Sequence, residues 1–323
     1  MHIIKAENIY KTYNKNGINA VSDLSFEINE GELFGLLGPN AAGKSTTFKM
    51  LTTLIHPSKG KIELMGYDPC SNSQKIRSMI GYVAQEGGLE GTLSARENLK
   101  WVAKLYRLSR YDRESRIKSV LEAVGLQDID NRPMSAYSGG MKRCLQIASA
   151  LLHEPRILFL DEPSVGLDLD NRHRLWKVLQ YLNKKKNITI FLTTHYLEEA
   201  DKLCDRVMII DQGKCVCQGN PQYLKDQVGG DQIYFALEPH SVQLNGEELK
   251  KRMAGEGRSI NIHQVQIDES NYHVRFWVDD GPHMVIKVID MFKKSGLKVS
   301  SVKLSRPTLD DVMIQYTKGS LNV

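Results

Sequence analysis

The chain has 323 residues, 41% hydrophobic and 25% charged, with a net charge of +5. That length points to two domains of unequal size, and the composition is that of a globular protein rather than a fibrous or low-complexity one. The charge is mild: it is compatible with an acidic membrane face or a nucleotide, a solvated surface alone accounts for it, and no nucleic-acid partner is expected.

Five cysteines, Cys70, Cys144, Cys204, Cys215 and Cys217, show no disulfide-framework spacing. Cys215 and Cys217 in a strand would put both sulfurs on one face. The odd count, and the lack of a basic, then apolar, leader in MHIIKAENIYKTY, point to a reducing compartment. No apolar run approaches the ~20 residues that cross a bilayer, so any membrane span is expected from a partner.

In chain order, LFGLLGPNAAGKSTTFKMLTTLI (33–55) reads as an apolar strand, a glycine-bounded turn and an amphipathic helix. Leu33 to Leu37 suit a parallel strand covered on both faces. Phe48, Leu51 and Ile55 share one helical face, and HPSKG closes the helix. Between strand and helix, Gly38-Pro39-Asn40-Ala41-Ala42-Gly43-Lys44-Ser45 matches G-x-x-x-x-G-K-[ST]. Its glycines let successive N–H groups converge on an anion. Lys44 adds positive charge at the terminal phosphates, and the Ser45 hydroxyl can ligate Mg²⁺. This is the pattern of a nucleoside triphosphate site.

MIGYVAQEGGL (79–89) gives a strand followed by Gln85, whose amide can contact Mg²⁺ and the attacking water. The glycines behind it let the segment move. Next, EGTLSARENLKWVAKLY carries Trp101, read as a core residue. Ile117, Val120, Leu121 and Val124 form the apolar stripe of a helix ended by Gly125. YSGGMKR (137–143) places Ser138, Gly139 and Gly140 before a helix beginning near Met141, a second way to offer backbone N–H groups to phosphate.

RILFLDEP (156–163) ends in Asp161-Glu162, at the carboxyl end of a strand, where parallel sheets present ligands. Asp161 is placed to hold Mg²⁺ through water, and Glu162 to polarise the attacking water as general base. Lys184 to Lys186 read as a solvated loop before the β-branched strand ITIFLTTHY (188–196). That strand ends near His195, at the edge where the phosphates lie, which makes His195 a γ-phosphate sensor.

RVMIIDQGKCVCQG reads as a hairpin turning at Gln212-Gly213, and NPQYLKDQVGGDQ as a boundary near 220–230. Beyond it, strand, helix (GEELKKRMAG), two strands, helix and strand follow, a βαββαβ order that suggests a ferredoxin-like module. Tyr272, Val274, Phe276 and Val278 alternate within one of those strands. Pro307 opens a last helix with Leu309, Val312, Met313 and Tyr316 as its stripe. His263, His273 and His283 lack carboxylates at ligand spacing, so no metal site is expected among them.

Taken together, Gly38–Thr46, Gln85, Tyr137–Met141, Leu158–Glu162, SVGLD (164–168) and His195 resemble the motifs of the ATP-binding cassette (ABC) ATPases, in the right order and all within residues 1–220. The resemblance implies an α/β P-loop cassette at 1–222, comprising a RecA-like core, an antiparallel β subdomain and a helical subdomain at about 90–140 that receives a permease. A C-terminal α+β domain at 231–323 follows. It implies ATP and Mg²⁺ as ligands, with Lys44, Glu162 and His195 catalytic and Ser45, Gln85 and Asp161 around the metal. Two cassettes, two copies or one copy and a paralogue, would pack head to tail. Ser138, Gly139, Gly140 and Met141 would then cap the ATP held by the partner's Gly38–Thr46 loop, and Asp168 would report across the interface. Tyr13 matches the adenine-stacking aromatic, with Tyr10 the competing candidate; such a stack is worth about 1–3 kcal/mol.

Two departures stand out. Ala41 replaces a more usual glycine, so no positive φ is expected there. Tyr137 and Met141 replace leucine and glutamine; this version, like the tail RPTLDDVMIQYTKG, resembles drug exporters of the daunorubicin-resistance type. The tail's role is open between dimer support and permease docking. The implied function is the ATP-hydrolysing subunit of an exporter, peripheral at the cytoplasmic face of the membrane. A soluble ABC machine and an importer ATPase are the alternatives, and the transported substrate is not encoded.

Overall fold

Residues 2–13, 17–85, 87–238, 262–268, 272–294 and 296–317 are described by the computed structural model. Two units, Met1–Pro221 and Gln222–Val323, each pack within themselves.

The first unit opens with β1 (His2–Tyr13) and β2 (Ile18–Asn29), followed by β3 (Leu33–Leu37), α1 (Lys44–Leu51) and β4 (Lys59–Leu64). β1 is the centre of an antiparallel sheet ordered β2-β1-β4, and Ile4, Ile9, Leu24, Ile28 and Leu64 from its three strands are fully buried. α1 stops at Leu51, short of Ile55, because Thr53 adopts φ +62° and turns the chain out of the helix. Ile55 still packs on the core, from the loop instead of the expected helical face.

The chain continues through α2 (Ser73–Arg77), β5 (Ile80–Val83), α3 (Ala95–Leu105), α4 (Arg110–Ala123), α5 (Gly139–Leu151), β6 (Ile157–Asp161) and α6 (Leu169–Lys186). β7 (Thr189–Thr194), α7 (Leu197–Leu203), β8 (Arg206–Asp211) and β9 (Lys214–Gly219) complete the unit. The main sheet is ordered β5-β6-β7-β3-β8-β9, parallel from β5 to β8, with β9 antiparallel at the edge. All five residues of β3 and all six of β7 are buried, as a strand covered on both faces must be.

α3 begins with a reciprocal cap: the Ser94 hydroxyl accepts from Glu97 N–H, and the Glu97 carboxylate accepts from Ser94 N–H at 2.8 Å. Leu99, Val102 and Ala103 form its buried face. Trp101 lies on the other side and is 56% exposed, so the expectation of a core tryptophan is overturned by helical phase. Lys184 to Lys186 are likewise not a loop. They form the last turn of α6, where cations complement the helix dipole, and Asn187 at φ +54° ends it. Cys215 and Cys217 pair with Ile210 and Ile209 across a register shift in the ladder.

α8 (Pro221–Gln227) begins on the last residue of the first unit, and the second unit continues with β10 (Asp231–Leu237), β11 (Ile262–Asp268), β12 (His273–Val278), α9 (Gly281–Lys294), β13 (Val299–Ser305) and α10 (Leu309–Thr317). Its sheet is ordered β11-β12-β10-β13 with antiparallel pairing throughout, which is the ferredoxin-like arrangement. Ile233, Phe235, Val274, Phe276 and Val278 pack against Met284, Val288 and Phe292 of α9. Tyr272 lies just before β12 at φ +56° and not within the strand. The helix expected at GEELKKRMAG lies outside the described residues. Pro307 precedes α10 without opening it. Thr308 is the residue that caps, exchanging bonds with Asp311: its N–H and hydroxyl donate to the carboxylate, and Asp311 N–H donates back to the hydroxyl.

No described helix is long and apolar enough to cross a membrane.

Candidate functional site

Because β3, β5, β6 and β7 run parallel, their carboxyl ends open on one edge of the sheet, and each is followed by a motif singled out above. The 38–46 loop follows β3. Gly43 there has φ +105°, and a Cβ on it would lie 2.5 Å from the Ala20 carbonyl oxygen, so only glycine fits. Ala41 has φ +64°, contrary to the expectation that this residue needs no positive φ. The loop imposes the left-handed conformation whichever residue occupies it, and an alanine carries the cost.

Lys44 at the start of α1 is buried, with Nζ donating to the carbonyls of Gly38 (2.7 Å) and Pro39 (2.8 Å). Burial pulls its pKa below the usual lysine value, opposed by the charges of Glu162 and Asp161. Ser45 beside it is exposed, and Thr46 is half-buried.

At the end of β6, one hydroxyl organises two carboxylates. Thr193 Oγ1 donates to Asp161 Oδ1 at 2.5 Å and accepts from Glu162 N–H at 3.0 Å. Glu162 has φ +44°, a conformation that the clash of Cβ with the backbone carbonyl penalises by about 1–3 kcal/mol and that takes the chain out of the strand. Its Oε2 lies 3.3 Å from His195 Nδ1. Lys44, Asp161, Glu162 and His195 therefore form one cluster.

Gln85 follows β5 and is exposed. Tyr13, at the end of β1, is half exposed, with Lys11 Nζ 5.5 Å from its ring centre. The signature segment, Tyr137–Met141, stands apart. α5 starts at Gly139, two residues before Met141, with Ser138 as its cap; the Ser138 hydroxyl accepts from Met141 N–H at 3.2 Å. Gly140 packs so closely on Asn171 that a Cβ would collide with its side chain. Asn171 is in turn bonded to Asp168, the cap of α6. Among the described residues, no hydrogen bond, ion pair or ring contact joins Ser138–Met141 to residues 38–46.

Three groups escaped the sequence reading. Thr193 is a strand residue whose role appears only once β6 and β7 are paired. Arg143 is buried on α5 and touches both the Gln85 and the Asp161 segments. Its signal was legible: it falls in the apolar stripe Gly140, Cys144, Ile147 and Leu151, where a charge needs a reason. Glu199 on α7 is fully buried, accepting from the Ser164 hydroxyl and from Trp176 Nε1 at 3.1 Å on one oxygen, while Oε2 has no hydrogen-bond partner. Burial raises its pKa against the pull of Ser164, Thr194, Trp176 and Arg172.

Residues 21–165 match the family model described as "ABC transporter". The linearmycin resistance ATP-binding protein LnrL of Bacillus subtilis is 34% identical over 99% of both chains. The daunorubicin resistance ATP-binding protein DrrA2 of Streptomyces coeruleorubidus is 33% identical over 98% of this chain and 95% of its own. The ATP-binding cassette MJ0796, solved as a dimer bound to ADP and Pi in a post-hydrolysis state, is 28% identical. It superposes with a TM-score of 0.60 over 67% of this chain and 98% of its own. The chain belongs to the ABC transporter family, as one of its ATP-binding, ATP-hydrolysing subunits.

Two stability outcomes follow. Ala41→Gly removes a strain of about 1–2 kcal/mol and costs about 0.5–1 kcal/mol of chain entropy. The net gain is expected to raise Tm by about 1–3 °C in a calorimetric scan. Glu199→Gln removes the desolvated negative charge from this buried position and is expected to stabilise by about 1–2 kcal/mol near neutral pH. A carboxyl whose folded pKa is raised gives up stability as pH climbs from the unfolded value through the folded one. Urea titrations should therefore show the gap between variant and wild type widening from acid to neutral pH.

Proposed function

We propose that this chain is the MgATP-hydrolysing subunit of an exporter. It would work as a head-to-tail dimer at the cytoplasmic face of a membrane and drive a separate permease. The observation that carries the reading is the cluster at the sheet edge. A general base, Glu162, is held by strained backbone beside His195, with a buried lysine on the phosphate-binding loop at the same edge.

In this reading the N–H groups of 38–46 wrap the β- and γ-phosphates. Lys44 exchanges its bonds to the Gly38 and Pro39 carbonyls for phosphate oxygens. Glu162 takes the proton as water forms a bond to the γ-phosphorus; the bond from that phosphorus to the bridging oxygen breaks, and ADP leaves with the bridging pair. His195, fixed against Glu162, holds the γ-phosphate oxygens in line. Tyr13 stacks on the adenine.

Ser45, Gln85 and Asp161 supply only oxygen donors, and Thr193 occupies one carboxylate oxygen of Asp161, leaving the other free of it. That set fits Mg²⁺, which favours oxygen and retains several waters. Bound there, it neutralises charge on the phosphates.

The signature helix supports the dimer. Its N-terminus carries about half a positive charge and free N–H donors. It is tied to Asn171 and Asp168, with no link to the loop that would hold its own chain's ATP, so the nucleotide it caps is the partner's. The names of the relatives above, for linearmycin and daunorubicin resistance, support the exporter reading.

Glu162→Gln is expected to keep ATP binding, lose turnover by about 100-fold or more, and accumulate a dimer in ATP on size-exclusion chromatography. Normal turnover in that variant removes Glu162 as the base. For the wild type, specific activity is expected to rise with protein concentration; a concentration-independent value would remove the shared site.

A further inference from the structure

Arg143 presents an unusual bonding pattern. Its guanidinium is buried, yet among the described residues no carboxylate oxygen accepts a hydrogen bond from it. Nε donates to the Pro163 carbonyl at 2.9 Å, Nη2 to the Asp161 carbonyl at 2.8 Å, and Nη1 to the Ala84 carbonyl at 2.6 Å and to Gln146 Oε1 at 2.9 Å. Gln146, one turn further along α5, uses its own amide to donate to the Gly87 carbonyl at 2.7 Å. The two side chains therefore hold carbonyls on both sides of Gln85. Arg143 also grips both sides of Glu162.

Burying a cation among neutral oxygens is costly, and desolvation pulls the Arg143 pKa down to about 10. An apolar side chain would fill the same stripe of α5 at lower cost. What only arginine offers is a planar fork of five donors, able to bridge three separate segments at fixed spacing; lysine has a single ammonium on a flexible stem. The fork sits five residues from the Ser138 cap, about 7.5 Å along a rigid helix.

We infer that Arg143, seconded by Gln146, is a positioning residue that locks the Gln85 segment, the Asp161–Pro163 turn and the signature helix into one body. This rests on the function proposed above. A displacement of Gln85 is then passed to the amino end of α5, which faces the partner's nucleotide, and to the general base in its own site. Arg143 touches no residue of the 38–46 loop and not Tyr13, so its loss falls on turnover far more than on nucleotide affinity.

The test uses the full chain. Arg143→Met is expected to lower kcat at least about 30-fold, the scale of a small misplacement of reacting groups, with KM for MgATP and fluorescent-nucleotide affinity changed less than about twofold. Arg143→Lys should recover only a minor part of kcat. Gln146→Met, at a half-buried position and so expected to fold, should lower kcat several-fold and speed amide hydrogen exchange across 84–90 but not in β1 or β2. Loss of kcat with an equal loss of nucleotide affinity, or exchange that quickens throughout the first unit, would mean that Arg143 only stabilises the fold and would overturn the inference. So would full recovery by lysine, or variants with kcat within twofold of wild type. A wild-type chain that fails to hydrolyse ATP would instead overturn the function proposed above, and the two failures are distinguishable in one experiment.

Discussion

Phe48 reaches from α1 into a cluster with Phe159 of β6 and Phe191 of β7, at ring separations of 5.9 and 6.1 Å, and those two rings lie 5.5 Å apart. All three are essentially inaccessible to solvent. Phe34 of β3 joins through Phe191 at 5.9 Å. Each such pair adds about 0.5–1.5 kcal/mol beyond the burial of its rings. More important than the energy is what the cluster fixes. α1 carries Lys44 and Ser45 at its first turn, β6 ends in Asp161, and β7 ends at Thr194, one residue before His195. Interdigitated rings tolerate little sliding, so the three motif-bearing ends stay in register with one another.

With that register set, Thr193 does the finer placement. β6 and β7 pair in parallel with Asp161 opposite Thr193, which brings the threonine hydroxyl onto the aspartate and under the backbone of Glu162. The hydroxyl thus spends both its donor and its acceptor capacity on the two acidic residues. It leaves Asp161 oriented by a neutral group, and it supports Glu162 in a left-handed conformation that the chain would otherwise leave. Strain of this kind persists only where neighbours over-determine it, and here those neighbours are the parallel ladder and the aromatic layer beneath.

The parts of this architecture that the sequence made legible are those encoded by local pattern. The phosphate loop needs glycine at Gly43 because the backbone there excludes a side chain, and that requirement is visible as a letter. β3 is apolar throughout, and Ile157–Leu160 of β6 and Ile190–Leu192 of β7 are apolar too, because both faces are covered. The βαββαβ order and alternation of the second unit led to its sheet order. What was misread depended on phase or on tertiary context. Trp101 sits in an amphipathic helix but one step off its buried stripe. Ala41 adopts a conformation dictated by the loop and not by its own preference. Lys184 to Lys186 look like a solvated linker until the helix dipole gives them a place in α6. Thr193 could not be found from sequence, because its role exists only across a strand pair. Arg143 could have been, as a charge inside an apolar stripe.

The arrangement also gives a reason for the two phosphate-binding devices that the proposed function assigns to one chain. A helix N-terminus attracts an anion only within about its first turn, so its position decides which anion it serves. In this chain the amino end of α5 is anchored to Asn171 and through it to the Asp168 cap, whereas the 38–46 loop is anchored to the aromatic layer by α1. These are separate anchors, joined through the interior by the Arg143 fork at the Asp161–Pro163 turn. On the function proposed above, such a protomer keeps its own signature apart from its own nucleotide, with each device held by its own packing. In the proposed dimer a second cassette supplies the missing half and leaves both intact, and the nucleotide is the element that draws the two subunits together.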